Sequence, residues 1–244
     1  MASHLTSNPS PQETPTPTHD ILFESIQTSP PMDVLWFRLP KQPGDYEGGM
    51  GRIGRGHIVA MLDRGDQWQI AYVIPKGEYQ EIRASGMEAL RKSIVEVVPE
   101  LQDRIQHLQD WSQIAFLSVE SSRLVRWYRP GLLLIGDAAH VMSPVGGVGI
   151  NYAIQDAVVA ANVLSKPLKQ GHVELHELAK VQRQRELPTR IIQAFQSFIQ
   201  QQIFARVLNS NQLLQLPGWL RLPWLRDLPA RLVAYGVFPA HVKT

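Results

Sequence analysis

The sequence predicts an α/β chain of α+β character, and three patterns predict it. Trp68, Ile70, Tyr72 and Ile74 alternate onto one face, the period of a half-buried strand. Residues 132–164, LLLIGDAAHVMSPVGGVGINYAIQDAVVAANVL, read as a strand, a glycine-broken loop and a helix. Beyond Pro167 the apolar residues recur at helical spacing: Leu175, Leu178 and Val181 in one helix, then Ile191, Ile192, Phe195, Ile199 and Ile203 in another past Pro188.

In chain order, residues 1–32 hold PSPQETPTPT and little that could pack, so they read as a disordered Ser/Thr/Pro-rich tail. Ile21, Leu22 and Phe23 are its one candidate for a short docking element. A strand is expected from Asp33 to Leu39, closed by Pro40. The loop after it carries Gly49-Met50-Gly51-Arg52-Ile53-Gly54, the spacing of a dinucleotide fingerprint. Such a fingerprint must follow a strand and open a helix. This one follows KQPGDYEG and leads into a strand pattern at 57–62, so it reads as a loop or hairpin connection. Residues 57–62 and 68–74 flank Asp63-Arg64-Gly65-Asp66 and form a hairpin.

Ser85 and Glu88 have capping-box spacing ahead of a helix whose stripe is Met87, Leu90, Ile94 and Val97, ended by Pro99. Strands return at 114–119 and 123–127, and Pro130-Gly131 turns the chain into 132–135. Lys76 and Arg83 read as solvated hairpin charges. Near the end, LPGWLRLPWLRDLPARL has the composition of a membrane-surface segment. Pro217, Pro223 and Pro229 forbid one continuous amphipathic helix there, which favours a tail packed on the protein.

With 44% hydrophobic residues in 244, the chain can bury a sizeable core in one large or two small domains. No apolar run reaches the roughly 18 residues of a membrane span, and no signal pattern opens the chain, so the expected location is the cytoplasm. The absence of cysteine excludes disulfides, thiolate catalysis and Cys-based metal sites. A net charge of +2 is too small to point to nucleic acid.

The chemistry is concentrated after residue 131. Residues 132–135 are apolar without alternation, as in a strand covered on both faces. A ligand is expected at its C-terminal end, where Gly136-Asp137 places a carboxylate. The stretch Ser143-Pro144-Val145-Gly146-Gly147-Val148-Gly149 reads as loop. The helix after it has the stripe Ile150, Ala153, Ile154, Ala157, Val158, Ala161 and Leu164, and Pro167 ends it. Its first N–H groups point back into the loop and favour negative charge. Asp137 and His140 could instead be metal ligands or an acid/base pair, but no further His, Asp or Glu occurs from Val141 to Gln155 to complete a shell. His140 reads as a structural histidine bonded within its loop.

Gly136-Asp137-Ala138-Ala139-His140, Pro144, Gly147, Gly149-Ile150-Asn151 and Asp156 together resemble the second flavin motif of FAD-dependent aromatic-ring monooxygenases, the para-hydroxybenzoate hydroxylase-like family. The resemblance implies that Asp137 binds a ribitol hydroxyl of FAD. It also implies that the N–H groups of Gly149, Ile150 and Asn151 face flavin N1 and O2. Gly136, Asp137, Ala138, Pro144, Gly147, Gly149, Ile150 and Asn151 are the implied cofactor-binding residues; no catalytic residue and no metal ligand is nominated. The implied architecture is a substrate-domain sheet and helix over 33–129, the strand-loop-helix of a Rossmann-like FAD domain over 130–168, and a helical region over 169–244.

The family's opening glycine-rich turn for the ADP of FAD, and a second motif joining cofactor binding, do not occur. The expectation is therefore a truncated or split later half, with an N-terminal FAD-domain half supplied in trans. The implied activity is NAD(P)H- and O2-dependent hydroxylation of a small aromatic substrate. The other reading is a non-catalytic interaction or scaffold protein that retains the fold.

Overall fold

The computed structural model describes residues 23–54, 56–204, 231 and 235–242. Ser25–Thr28 (β1) already forms a strand, paired antiparallel with Ser121–Leu124. This corrects the expectation of a structureless tail to residue 32; the pairing is long-range, which local composition does not register. Phe23 lies under the Arg129 guanidinium, 4.5 Å from the ring centroid, while Ile21 and Leu22 lie outside the described residues.

Met32–Pro40 (β2), Met50–Gly54 (β3), His57–Asp63 (β4) and Gln67–Pro75 (β5) come next. Tyr79–Ser85 (α1), Met87–Val97 (α2) and Ala115–Leu117 (β6) follow. The sheet runs β3-β4-β5-β2-β6, antiparallel throughout. Alternation gives it two faces. Leu35, Phe37, Leu39, Val59, Met61, Trp68, Ile70, Tyr72 and Ile74 pack with Leu90, Ile94 and Val97 of α2. Each such buried side chain contributes about 1.5–3 kcal/mol. On the other face Met32, Val34, Ala71 and Val73 are buried with Val119, and Trp36, Ile58 and Ala60 are half-buried beside them.

The glycine-spaced stretch is β3, with Gly51 opposite Ala60 and Gly54 opposite His57. It is one arm of a hairpin and opens no helix. Gly65 turns β4 into β5 at φ +87°, and the Asp63 carboxylate accepts from Lys41 and from the Gly48 and Gly65 amides. The capping box is corrected: Ser85 ends α1, its hydroxyl donates to the Glu81 carbonyl at 3.0 Å, and Gly86 precedes α2. Lys76 is not a solvated charge. It donates to Asp33 Oδ1 at 2.8 Å, Ser118 Oγ at 2.9 Å and the Val119 carbonyl at 2.8 Å. Burial pushes the Asp33 carboxyl up, but the Gly77 amide, Lys76 and the Val119 amide outweigh it and hold it below its ordinary range. Arg83 lies 6.0 Å from the Trp111 ring.

Ser121–Leu124 (β7), Tyr128–Arg129 (β8), Leu132–Leu133 (β9), His140–Val141 (β10), Gly149–Lys169 (α3) and Leu175–Ile199 (α4) follow. The strand expected at 132–135 is shorter and differently placed. Gly131 folds it back at φ +76°, β9 pairs antiparallel with β8, and Leu132 is 41% exposed rather than covered on both faces.

The expected stripe of α3 is also corrected. Ile150 and Ile154 are 73% and 59% exposed, while Tyr152, Asp156 and Val159 face inward. Asp156, bonded by Arg185 of α4, and Tyr152, whose ring packs with Ile192 and lies 5.4 Å from the Arg185 guanidinium, take the buried side, a choice hydropathy alone does not see. Neither proline stops a helix where expected. Pro167 sits in the last turn of α3, which runs to Lys169. Pro188 lies buried inside the continuous α4, where its packing offsets the roughly 3 kcal/mol of a lost bond and ring clash. Val148, Tyr152 and Ile192 join α3 to α4, with Met142 and Phe195 against them.

The chain end returns over α3, the Asn162 amide donating to the His241 carbonyl at 2.7 Å and the Val237 amide to the Tyr152 hydroxyl at 3.3 Å. The Trp/Leu/Arg-rich segment before it lies, Arg231 apart, outside the described residues. Among the described residues no helix is long and apolar enough to cross a membrane.

Candidate functional site

The site is built on α3, from two stretches of chain that meet it. After β9 the chain makes a single turn at Gly136–Ala138. Gly136 adopts φ +58°, and a Cβ there would come 3.1 Å from the Cβ of Ala153. Only glycine supplies both the left-handed corner and the close approach. The turn is tied from inside by Asp156, which is fully buried. Its Oδ2 accepts the Gly136 amide at 3.0 Å and lies 2.6 Å from His140 Nε2; its Oδ1 accepts Arg185 Nε at 2.8 Å.

Burial is the largest influence on the Asp156 carboxyl and raises it, but His140, Arg185 and the Gly136 amide together hold it below its ordinary range. The Trp127 ring packs on His140 with centroids 5.0 Å apart. With Gly136, Ala139 and His140 buried on either side, Asp137 and Ala138 are left facing solvent. His140 thus meets Asp156 on α3 rather than a group of its own loop, which corrects the expected partner.

The second stretch is the glycine loop. Pro144 leads into Gly146 and Gly147 at φ +79° and +63°, and Val148, 1% exposed, anchors the start of α3. No side chain caps this helix. Its first N–H groups have no intrahelical acceptor, and those of Gly149 and Ile150 find none elsewhere among the described residues. Among the described residues a Cβ on Gly147 would meet nothing within 4 Å, and one on Gly149 would meet Met142 at 3.9 Å. Among the described residues the space in front of both is open. Ala153, where the Gly136 turn rests, is one helical turn or about 6 Å of rise from Gly149. Gly136, Asp137 and Ala138 thus converge with Pro144, Gly147, Gly149, Ile150 and Asn151 on the N-terminal end of one helix. An exposed carboxylate suited to a sugar hydroxyl stands beside a helix end suited to negative charge. That donor set, with open space before it, fits a flavin and its ribitol chain.

The loop also touches the sheet. Val145 packs against the cluster of Met32, Val34, Ala71, Val73 and Val119, so half-buried Trp36, Ile58 and Ala60 lie on the face that the loop adjoins. All residues nominated from the sequence lie before Pro167. The structure brings Arg185 to Asp156, and Gln193 and Gln196 to the loop carbonyls. The helical spacing of these polar residues on the buried side of α4 was the available signal.

A family model described as an FAD binding domain matches residues 8–194. The chain is 36% identical over 158 residues to 6-methylpretetramide 4-monooxygenase of Streptomyces rimosus, which covers 64% of this chain and 38% of that protein. It is 27% identical over 179 residues to aklavinone 12-hydroxylase DnrF of Streptomyces peucetius, covering 70% of this chain and 32% of that one. PqsL of Pseudomonas aeruginosa, solved in complex with 2-aminobenzoylacetate, shares the fold with a TM-score of 0.63 at 23% identity, over 78% of this chain and 54% of its own. The chain therefore spans 38% and 32% of the length of these two curated relatives.

Proposed function

Since the chain belongs to the FAD binding domain family, we propose that it forms the flavin- and substrate-contacting part of an FAD-dependent monooxygenase that hydroxylates a small aromatic substrate. The observation that carries this reading is the pairing of an exposed Asp137, on a turn locked from within by Asp156, with the uncapped N-terminus of α3. FAD, reduced by NAD(P)H, supplies the oxygen-transfer chemistry when bound. This chain's residues bind and orient. Asp137 accepts from a ribitol hydroxyl, Gly136 and Ala138 shape its turn, and Pro144 and Gly147 give the loop a close approach. The N–H groups of Gly149, Ile150 and Asn151 favour the negative charge that the pyrimidine edge gains on reduction. The sheet face bearing Trp36, Ile58 and Ala60 excludes water from the substrate side.

Among the described residues no glycine-helix cradle stands for the diphosphate of FAD, so adding an N-terminal FAD-domain part would raise affinity. The test is titration of the purified chain with FAD, followed by flavin fluorescence and absorbance, with and without the N-terminal part of a relative. Saturable quenching that Asp137→Ala weakens supports the reading. No binding in either arm would leave the non-catalytic interaction protein as the better one.

A further inference from the structure

We infer that Gln196 on α4 is a positioning residue that aims the Gly146 N–H out of the glycine loop, adding a backbone donor to the ligand side of the site. The inference rests on the reading of that loop as the flavin site. Ladder pairing ends at Val141. From there to the start of α3 the backbone bond within the loop is Gly147 N–H to the Pro144 carbonyl at 3.0 Å, and Pro144 has no N–H to give. The loop is held from α4 instead. Gln196 Nε2 donates to the carbonyls of Ser143 and Val145, both at 2.8 Å. One turn earlier, Gln193 Nε2 donates to the carbonyls of Ser122 at 2.9 Å and Val141 at 3.2 Å. Gln200 Nε2 reaches Ser143 Oγ, which accepts the Val145 amide at 3.3 Å.

The orientation of these amides follows from their neighbours. Ser122, Val141, Ser143 and Val145 all present carbonyls, which only accept, so each glutamine must turn its NH2 to the loop. The Oε1 atoms of Gln193 and Gln196 are buried without a partner. In a planar trans peptide the N–H points opposite to the C=O. Drawing the Val145 carbonyl onto Gln196 therefore turns the Gly146 N–H away from α4, and it meets no acceptor among the described residues. Gly146 at φ +79° can hold that direction.

Gln182 provides a matched control. It is a buried glutamine of the same helix, and its amide is spent on the Val125 carbonyl and the Trp127 N–H, away from the loop. Gln196→Met keeps the shape and loses the donors; Gln196→Glu keeps a polar end and also loses them. Both should lower hydrogen-exchange protection of the Gly147 amide at least tenfold without FAD, and weaken FAD by a comparable factor. Gln182→Met should lower the unfolding temperature while leaving both readouts as in the native chain. Unchanged Gly147 protection in the Gln196 variants, or an equal loss in Gln182→Met, would overturn the tie. Reduced protection with unchanged FAD affinity would instead overturn the placement of flavin at this loop.

Discussion

Asp156 Oδ2 accepts the Gly136 amide at 3.0 Å, so a surface turn hangs from a side chain in the middle of α3. The other oxygen holds Arg185 at 2.8 Å, and both side chains are at most 1% exposed. Removing one member of such a pair leaves a buried charge uncompensated, which costs about 3–5 kcal/mol. Asp156→Ala should lose stability on that scale in urea unfolding, and the turn bearing Asp137 should lose its order with it. A change under about 1 kcal/mol would show that the network does not hold the turn.

Asp137→Ala should behave in the opposite way. The side chain faces solvent, and surface changes usually stay within about 0.5 kcal/mol of stability. FAD should bind about 1.5–3 kcal/mol more weakly, the range for a hydrogen bond to a charged group. Calorimetric titration beside urea unfolding separates the two effects. Native FAD affinity in the variant would remove Asp137 from the site.

Two glycines should likewise divide. Gly149→Val places its side chain where, among the described residues, Met142 at 3.9 Å from Cβ is the nearest neighbour, so the chain should fold while flavin approach is blocked. Gly136→Ala meets Ala153 at 3.1 Å and must hold φ +58°, a strain of about 1–3 kcal/mol. Comparing melting temperatures with FAD affinities checks both. A Gly149→Val protein with undiminished affinity would contradict the helix-terminus argument.

Acid sensitivity should trace partly to Asp63. The hydrogen bond from Lys41, then the Gly65 and Gly48 amides, lower its carboxyl from 3.8 to about 2. Because the folded value is depressed, the stabilisation is complete above the unfolded value and lost as pH falls through the folded one. The difference in unfolding midpoint between the native chain and Asp63→Asn should be constant above about pH 5 and vanish as pH drops toward about 2. A gap that persists at the acid end would assign the effect to packing.

The alternation in β5, the stripe of α2 and the glycine-broken start of α3 were legible because each encodes its own local geometry. What the sequence concealed was decided between distant segments. Ile150 and Ile154 look like core and face outward, because Tyr152 and Asp156 find partners on α4. Ser25–Thr28 looks like tail and is a strand, because Ser121–Leu124 lies beside it. Pro188 looks like a stop and is helix interior, because it is buried. The glutamines of α4 read as ordinary helix formers until the carbonyls they meet are known.

The pairing pattern has a kinetic side. The β4–β5 hairpin closes over residues 64–66, a contact that forms in about 1–10 μs in isolated hairpins. Thr28 and Ser121, which meet across β1 and β7, are 93 residues apart. Chain-closure entropy must be met before that contact gives anything back. The β3-β4-β5 meander should therefore gain amide protection early in refolding, and the strands β1, β7 and β10 late. In a pulse-labelling experiment the glycine loop, which continues directly from β10, should be among the last segments to become ordered.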